Sequence, residues 1–238
     1  MKKRTLLLAG MAMATICATA QTADEIINKY ADAIGGKKKL ASIKSVYMEG
    51  DADANGQKIP IKIWTVVGKS ERTEFTFNGM TGYTIIRSDS GWAFSPFAGQ
   101  THAEPMTADQ VKSASTELDY PGGQLINYKE KGFVVTSQGK DDVDGTEAYK
   151  LEEKVSDSLS KTYYLDPETY YVIRVHEKAT VNGKVEEVDQ DYTNYQKTPE
   201  GFMFAMSISG GVAGGGVKFN TIKINSDIDS KLFSPANK

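Results

Sequence analysis

Residues 59–67 read Ile-Pro-Ile-Lys-Ile-Trp-Thr-Val-Val, and this stretch indicates the fold class. Apolar side chains recur at every second position, which is typical of a β-strand that buries one face. The same period continues in residues 74–77, 83–87 and 92–94. Asn78-Gly79 separates two of these runs, and Asn-Gly is a strong hairpin signal because both turn residues need a positive φ. The sequence therefore predicts a meander of antiparallel strands.

A second group of strands is predicted in the C-terminal half of the chain. Its alternating runs cover residues 132–138, 147–155, 160–165, 170–180, 184–195, 202–209 and 217–224. Turn sequences such as Asp144-Gly145 and Asn182-Gly183 separate them. No low-complexity linker or change of composition divides the chain, so both groups are expected to form one sheet.

Two segments show helical spacing instead. Thr22 and Glu25 have the spacing of a capping box, and an apolar stripe follows them. Thr107 and Gln110 offer a second capping box within residues 106–131. Helices at 22–35 and 106–131 are the pieces available to cover a curved sheet. The predicted fold is mainly β (α+β): a half-open antiparallel β-barrel of about 10–11 strands, with short helices covering its concave face.

The first twenty residues are predicted to be a secretory signal peptide. A basic start, Lys2 to Arg4, precedes an apolar run at 6–16 and the small-residue cleavage site Ala18-Thr19-Ala20. A bilayer anchor needs about 20 apolar residues, so a retained anchor is the less favoured alternative. The mature chain, residues 21–238, is predicted to be a single domain.

Cys17 is the only cysteine of the chain. Ile16 before it fits a lipoprotein signal poorly, so lipid attachment at Cys17 is a minority alternative. If Cys17 is removed with the signal peptide, the mature chain has no thiol, which excludes disulfides and thiol catalysis.

Composition argues against several classes of function. Without the three basic residues of the signal, the chain has 25 Lys and Arg and 31 Asp and Glu, which gives a net charge of −6. This negative charge argues against binding of nucleic acid. His102 and His176 lack metal-ligand spacing, and no serine lies in a Gly-x-Ser-x-Gly motif. We therefore predict no catalytic residues, no metal and no cofactor; a hydrolase is the least favoured alternative.

Four segments resemble a known superfamily. They are GWAFSPFAGQ at 91–100, DGTEAYKL at 144–151, YLDPET at 164–169 and INSDIDSKLFS at 224–234. Together with the helical insert, their order is similar to that of the LolA/LolB-like outer-membrane lipoprotein-sorting proteins, a superfamily of periplasmic lipoprotein carriers. The resemblance covers nearly the whole mature chain, although no single motif is specific.

This resemblance implies a function. A periplasmic carrier or chaperone would bind lipid or lipoprotein acyl chains in a hydrophobic half-barrel cavity and transport them toward the outer membrane. It would be a monomer with transient inner- or outer-membrane protein partners, and it would not be an enzyme. The alternative is a non-enzymatic envelope sensor or regulatory module that binds a lipidated or protein ligand.

Apolar strand residues are the predicted ligand-binding residues, and their alternative role is to fill a dry core. The set comprises Ile61, Ile63, Phe75, Phe77, Ile85, Trp92, Phe94, Phe204 and Met206. In the carriers an arginine near the start of the third strand helps to hold a lid closed. Lys69 and Arg72 are the nearest matches, but the Arg-Pro that follows the strand in the family is missing here.

Overall fold

The computed structural model describes residues 21–54, 56–181, 183–210 and 215–235, so the predicted signal peptide lies outside the described residues. The strands are β1 Ser45–Ala54, β2 Gln57–Val66, β3 Ser70–Phe77, β4 Met80–Arg87, β5 Gly91–Phe94, β6 Glu104–Pro105, β7 Val134–Val143, β8 Thr146–Lys154, β9 Leu159–Leu165, β10 Val172–Val181, β11 Lys184–Lys197, β12 Met203–Gly210 and β13 Gly216–Ile224. The helices are α1 Ala23–Ala33, α2 Lys37–Leu40, α3 Ala108–Ser115 and α4 Gly123–Ile126.

All the strands join one antiparallel sheet. Its order is β6-β5-β4-β3-β2-β1-β13-β12-β11-β10-β9-β8-β7. The pairing of β1 with β13, from Val46 opposite Ile224 to Asp53 opposite Gly216, unites the two groups of strands. The sheet does not close, because β6 and β7 form its two edges. The predicted half-open antiparallel barrel is confirmed.

The described sheet has thirteen strands, which is more than the 10–11 expected. The two-residue strand Glu104–Pro105 is too short to show any alternation in the sequence. Tight turns join most neighbours as predicted: Asn78-Gly79 and Asp144-Gly145 both have positive φ at each residue. Asn182 of the predicted turn Asn182-Gly183 lies outside the described residues.

Residues 106–133, which we call the lid segment, connect the two edges of the sheet. The lid segment leaves β6 at one edge and enters β7 at the other, so the chain itself crosses the open side of the half-barrel. It contains α3 and α4, and its predicted capping box is present: Gln110 N donates to Thr107 Oγ1 and the glutamine side chain pairs with Thr107 N. Along the chain, the lid segment thus lies between the two edge strands that it connects.

Helix α1 fills part of the concave side. Its capping box at Thr22 is also present. The helix buries the stripe that its spacing predicts: Ile26, Ile27, Tyr30 and Ala31. These side chains join the main core with residues of the later strands, such as Leu151, Leu165 and Phe204. Burying each large apolar side chain contributes about 1.5–3 kcal/mol, so α1 is a fixed part of the core.

The opposite, convex face carries a second apolar cluster. Tyr83 and Ile85 of β4 pack there against Phe233 of a C-terminal 3₁₀ turn, Ser230–Phe233. This C-terminal turn contacts β3 and β4 on that face. The sheet therefore buries apolar residues on both faces in its N-terminal half.

Candidate functional site: a cavity beneath the lid segment

A cavity of about 500 Å³ lies between the concave face of the sheet and the lid segment. Strands β1 to β3 and β9 to β13 form its wall, α1 contributes Tyr30, and the lid segment contributes residues from Ser113 to Gln124. Its volume lies within the range of about 300–1,000 Å³ that is typical of small-molecule sites.

One wall of the cavity is apolar. It consists of Met48, Ile63, Val172, Val175, Phe204, Ile208 and Phe219. Met48 lies directly opposite Ile63 in the sheet, so both project to the concave face by strand alternation. Tyr30, Tyr192 and Tyr195 add aromatic surface, and burial raises the pKa of Tyr192 to about 12, which keeps its hydroxyl neutral. This wall offers the kind of surface on which a hydrocarbon chain is stabilised.

The other wall contains an ion-paired lysine. Lys161 projects from β9 with a side chain that is 8% exposed, and its ammonium pairs with Glu117 of the lid segment. Glu177 of β10 lies 3.4 Å from the same ammonium. Burial acts to lower the pKa of Lys161, but the neighbouring carboxylates outweigh it and the net shift is upward. Lys161 therefore stays charged and joins the lid segment to the sheet.

A buried carboxyl group stands beside this lysine. Glu153 is opposite Lys161 in the sheet and is completely buried. Its Oε2 accepts hydrogen bonds from Gln124 Nε2 at 3.0 Å and from the Tyr163 hydroxyl at 3.1 Å. Burial raises the pKa of Glu153, although both of these bonds and Lys161 oppose the shift.

A further carboxyl group lines the cavity from the N-terminal half of the sheet. Glu71 of β3 accepts a 2.9 Å hydrogen bond from the Thr65 hydroxyl. Burial raises the pKa of Glu71, and the charge of nearby Glu117 adds to the rise. The polar side chains of the cavity thus come from β2, β3, β9, β10 and the lid segment together.

Further hydrogen bonds attach the lid segment to the sheet and to α1. The backbone N–H of Gly68 donates to Leu118 O at 2.8 Å. At the other side, Asp24 of α1 accepts hydrogen bonds from the Tyr128 hydroxyl and from Lys129. In addition, Tyr120, Leu125 and Tyr128 of the lid segment are buried in the main core, so the lid segment is packed against the sheet as well as bonded to it.

The predicted ligand-binding residues separate into two faces. Ile63 and Phe204 line the cavity, and Met206 shares the face of β12 with Phe204. Ile61, Phe75 and Phe77 share the face of Ile63. The two phenylalanines pack around Phe97, and the distance to its ring centroid is 5.5 Å for Phe75 and 6.1 Å for Phe77. Ile85, Trp92 and Phe94 belong to the convex cluster beside Phe233.

The two residues considered for lid control occupy different positions. Lys69 is exposed in the turn between β2 and β3, next to the Gly68 N–H that bonds the lid segment. Arg72 lies on the convex face, where its guanidinium stacks 4.0 Å from the Tyr83 ring centroid and donates to Leu232 O at 3.1 Å. Arg72 thus contacts β4 and the C-terminal turn.

The polar wall was not predicted, although the alternation of β8 and β9 in the sequence indicates it. Lys161 falls in phase with Leu159, Tyr163 and Leu165, which are buried at every second position of β9. Glu153 likewise falls in phase with Leu151. A charged residue at an apolar position of an alternating strand breaks the expected pattern and marks a buried polar group.

The described residues contain neither a cluster of metal-binding side chains nor a membrane-spanning helix. No group of three or more His, Cys, Asp or Glu side chains in that part of the chain is arranged to hold a metal ion. No helix in the same residues is both long enough and apolar enough to cross a bilayer.

Comparisons with known proteins identify the fold through structure. No family model matches the chain, and no curated protein matches it. A LolA superfamily protein from Nitrosomonas europaea is similar, with a TM-score of 0.58 at 14% identity over 90% of this chain and 98% of that one. A lipoprotein-sorting protein domain from Vibrio parahaemolyticus has a TM-score of 0.56 at 12% identity, covering 89% of this chain and 97% of that one.

A third solved structure agrees with these two. It is a DUF1329 family protein from Desulfovibrio piger, with a TM-score of 0.57 at 12% identity over 89% of this chain and 97% of that one. All three alignments cover 89–90% of this chain. The chain therefore has the fold of the LolA superfamily and of outer-membrane lipoprotein-sorting domains.

Proposed function

We propose that this protein is a periplasmic carrier that holds a lipid, or the acyl chains of a lipoprotein, in the cavity beneath the lid segment. The observation that carries the proposal is the cavity of about 500 Å³ with an apolar wall that includes Met48, Ile63 and Phe204. The fold, which a lipoprotein-sorting domain shares, supports the same function. The proposal assigns no reaction to the protein.

Binding would follow from burial of hydrocarbon. Each methylene that moves from water to the apolar wall contributes about 0.8 kcal/mol, so affinity arises without a sequence motif. Release would require the lid segment to move, because it connects both edges of the sheet and covers the cavity. A membrane partner that receives the cargo would make that movement favourable.

The first experiment is native mass spectrometry of the mature protein purified from its own envelope, with lipid extraction of the same sample. A stoichiometric lipid or acylated protein is expected. If the protein carries no lipid and takes up no added lipid or lipopeptide, the carrier proposal is wrong and a protein-binding regulatory module becomes the better explanation.

A variant tests whether the cavity itself is the binding site. Ala114 of α3 lines the cavity, so Ala114→Trp is expected to fill it and to reduce binding of the neutral fluorescent dye N-phenyl-1-naphthylamine at least tenfold. Ala108→Trp is the matched control, because Ala108 is exposed on the same helix. Equal dye binding by both variants would place the binding site elsewhere.

A further inference from the structure

The polar wall of the cavity contains more acids than bases. Lys161 supplies the positive charge there, and Glu117 and Glu177 both lie within ion-pair distance of it. Glu71 also lines the cavity and bonds to Thr65 rather than to a cation. Glu117 and Glu177 thus share one lysine, and Glu71 adds a further carboxyl group to the same wall.

The buried carboxyl group of Glu153 adjoins the same lysine from the sheet. Glu153 projects to the concave face beside Lys161, and its Oε2 bonds to Gln124 and Tyr163, two residues that line the cavity. Its Oε1 is fully buried and has no hydrogen-bond partner among the described residues. A buried polar atom in this position has unused capacity to accept a hydrogen bond.

This arrangement disfavours further negative charge. Lys161 is already paired with two carboxylates, so it has little attraction left for an anionic ligand. Burial raises the pKa of Glu71, and the nearby charge of Glu117 adds to the rise. A ligand cation placed among these groups would instead stabilise their ionised forms.

We infer that the cavity selects amphiphiles whose head group carries a positively charged amino group. The head group would lie at the acidic wall formed by Glu71, Glu117 and Glu177, and the chain would lie along the apolar wall. Glu117 and Glu177 are about half exposed, at 51% and 42%, so the head group can enter from the solvent side. This inference rests on the proposed function, because it specifies the ligand of the same cavity.

The test compares three ligands of one chain length, each below its critical micelle concentration: dodecylammonium, 1-dodecanol and dodecanoate. Displacement of N-phenyl-1-naphthylamine at pH 7.5 and low salt measures their affinities. Dodecylammonium is expected to bind at least about tenfold more tightly than dodecanoate, since a charge pair a few ångströms apart in a partly buried site supplies that difference. Equal affinities, or tighter binding of dodecanoate, would overturn the inference and leave the carrier function standing. Failure of all three ligands to bind would overturn both proposals.

Two double variants test whether the preference for the amine comes from the acidic wall or from the net charge of the protein. Glu117→Gln with Glu177→Gln leaves Lys161 without these two carboxylate partners, so the ratio of amine to carboxylate affinity is expected to fall to one or below. Glu130→Gln with Glu168→Gln removes the same charge from exposed positions outside the cavity and should keep the tenfold ratio. If both double variants reduce the ratio equally, the preference comes from the overall charge of the protein and the inference is wrong.

Discussion

At the scale of single residues, Gly122 determines how closely the lid segment approaches α1. Its φ is +81°, and a Cβ there would lie 1.9 Å from the Tyr30 hydroxyl. Gly122→Ala is therefore expected to lower the free energy of unfolding by about 2–3 kcal/mol, measured by urea denaturation. Gly99 has the same φ but open space around it, so Gly99→Ala should lower the free energy of unfolding by only about 1 kcal/mol. Equal costs would show that the contact with Tyr30 is unimportant.

Glu153 gives a prediction about pH at the same scale. Its pKa is raised by burial, with Gln124, Tyr163 and Lys161 opposing the rise and Glu117 adding to it. A raised acid pKa means that the folded state favours the protonated form, so stability is lost as the pH rises from the unfolded pKa through the folded one. Glu153→Gln mimics the protonated group and avoids this loss.

The measurement is urea denaturation of wild type and Glu153→Gln at pH 4 and at pH 8. The variant is expected to gain stability relative to wild type at pH 8, and this gain should be smaller at pH 4. Glu152→Gln, an exposed neighbour on the other face of β8, should show no such difference. A gain for Glu153→Gln that does not depend on pH would contradict the argument.

At the scale of elements, α3 depends on its cap more than α1 does. Both helices begin with a complete capping box, at Thr107 and at Thr22, and each cap contributes about 1 kcal/mol. The core holds α1 through four buried residues, whereas α3 buries Val111. Thr107→Ala is expected to speed hydrogen exchange throughout α3, measured by mass spectrometry. Thr22→Ala should affect only the first turn of α1. If hydrogen exchange became faster along the whole length of both helices, the two helices would depend on their caps equally and the prediction would be wrong.

At the scale of the whole molecule, the C-terminal segment covers the convex face. Phe233 packs against Tyr83 and Ile85, and Arg72 donates to the backbone of the same turn. Phe233→Ala is expected to cost about 3–5 kcal/mol of unfolding free energy. The two tryptophans, Trp64 and Trp92, pack against this cluster, so their fluorescence should shift to the red.

The control for this variant is ligand binding. The cavity lies on the opposite face of the sheet, so the folded Phe233→Ala protein should bind N-phenyl-1-naphthylamine as wild type does. Ser234→Ala, an exposed neighbour, should change neither stability nor fluorescence. Loss of dye binding by folded Phe233→Ala would show that the two faces are coupled.

The sequence by itself determined the elements and their order. Alternation predicted a strand at 217–224 that the structure places at Gly216–Ile224, and the same capping boxes that were predicted begin α1 and α3. These features are local, because side-chain period, turn residues and caps act over a few residues. The turn at Asn78-Gly79 was predictable for the same reason.

Only the tertiary structure decided which face of each strand meets the cavity. Alternation defines two faces, but the sequence did not show that the C-terminal segment would cover one of them, so Ile85 and Trp92 were assigned to the same surface as Ile63. The ion pair of Lys161 with Glu117 joins residues 44 positions apart. Such pairs depend on how the sheet curves and on where the lid segment crosses it, and these are properties of the folded chain as a whole.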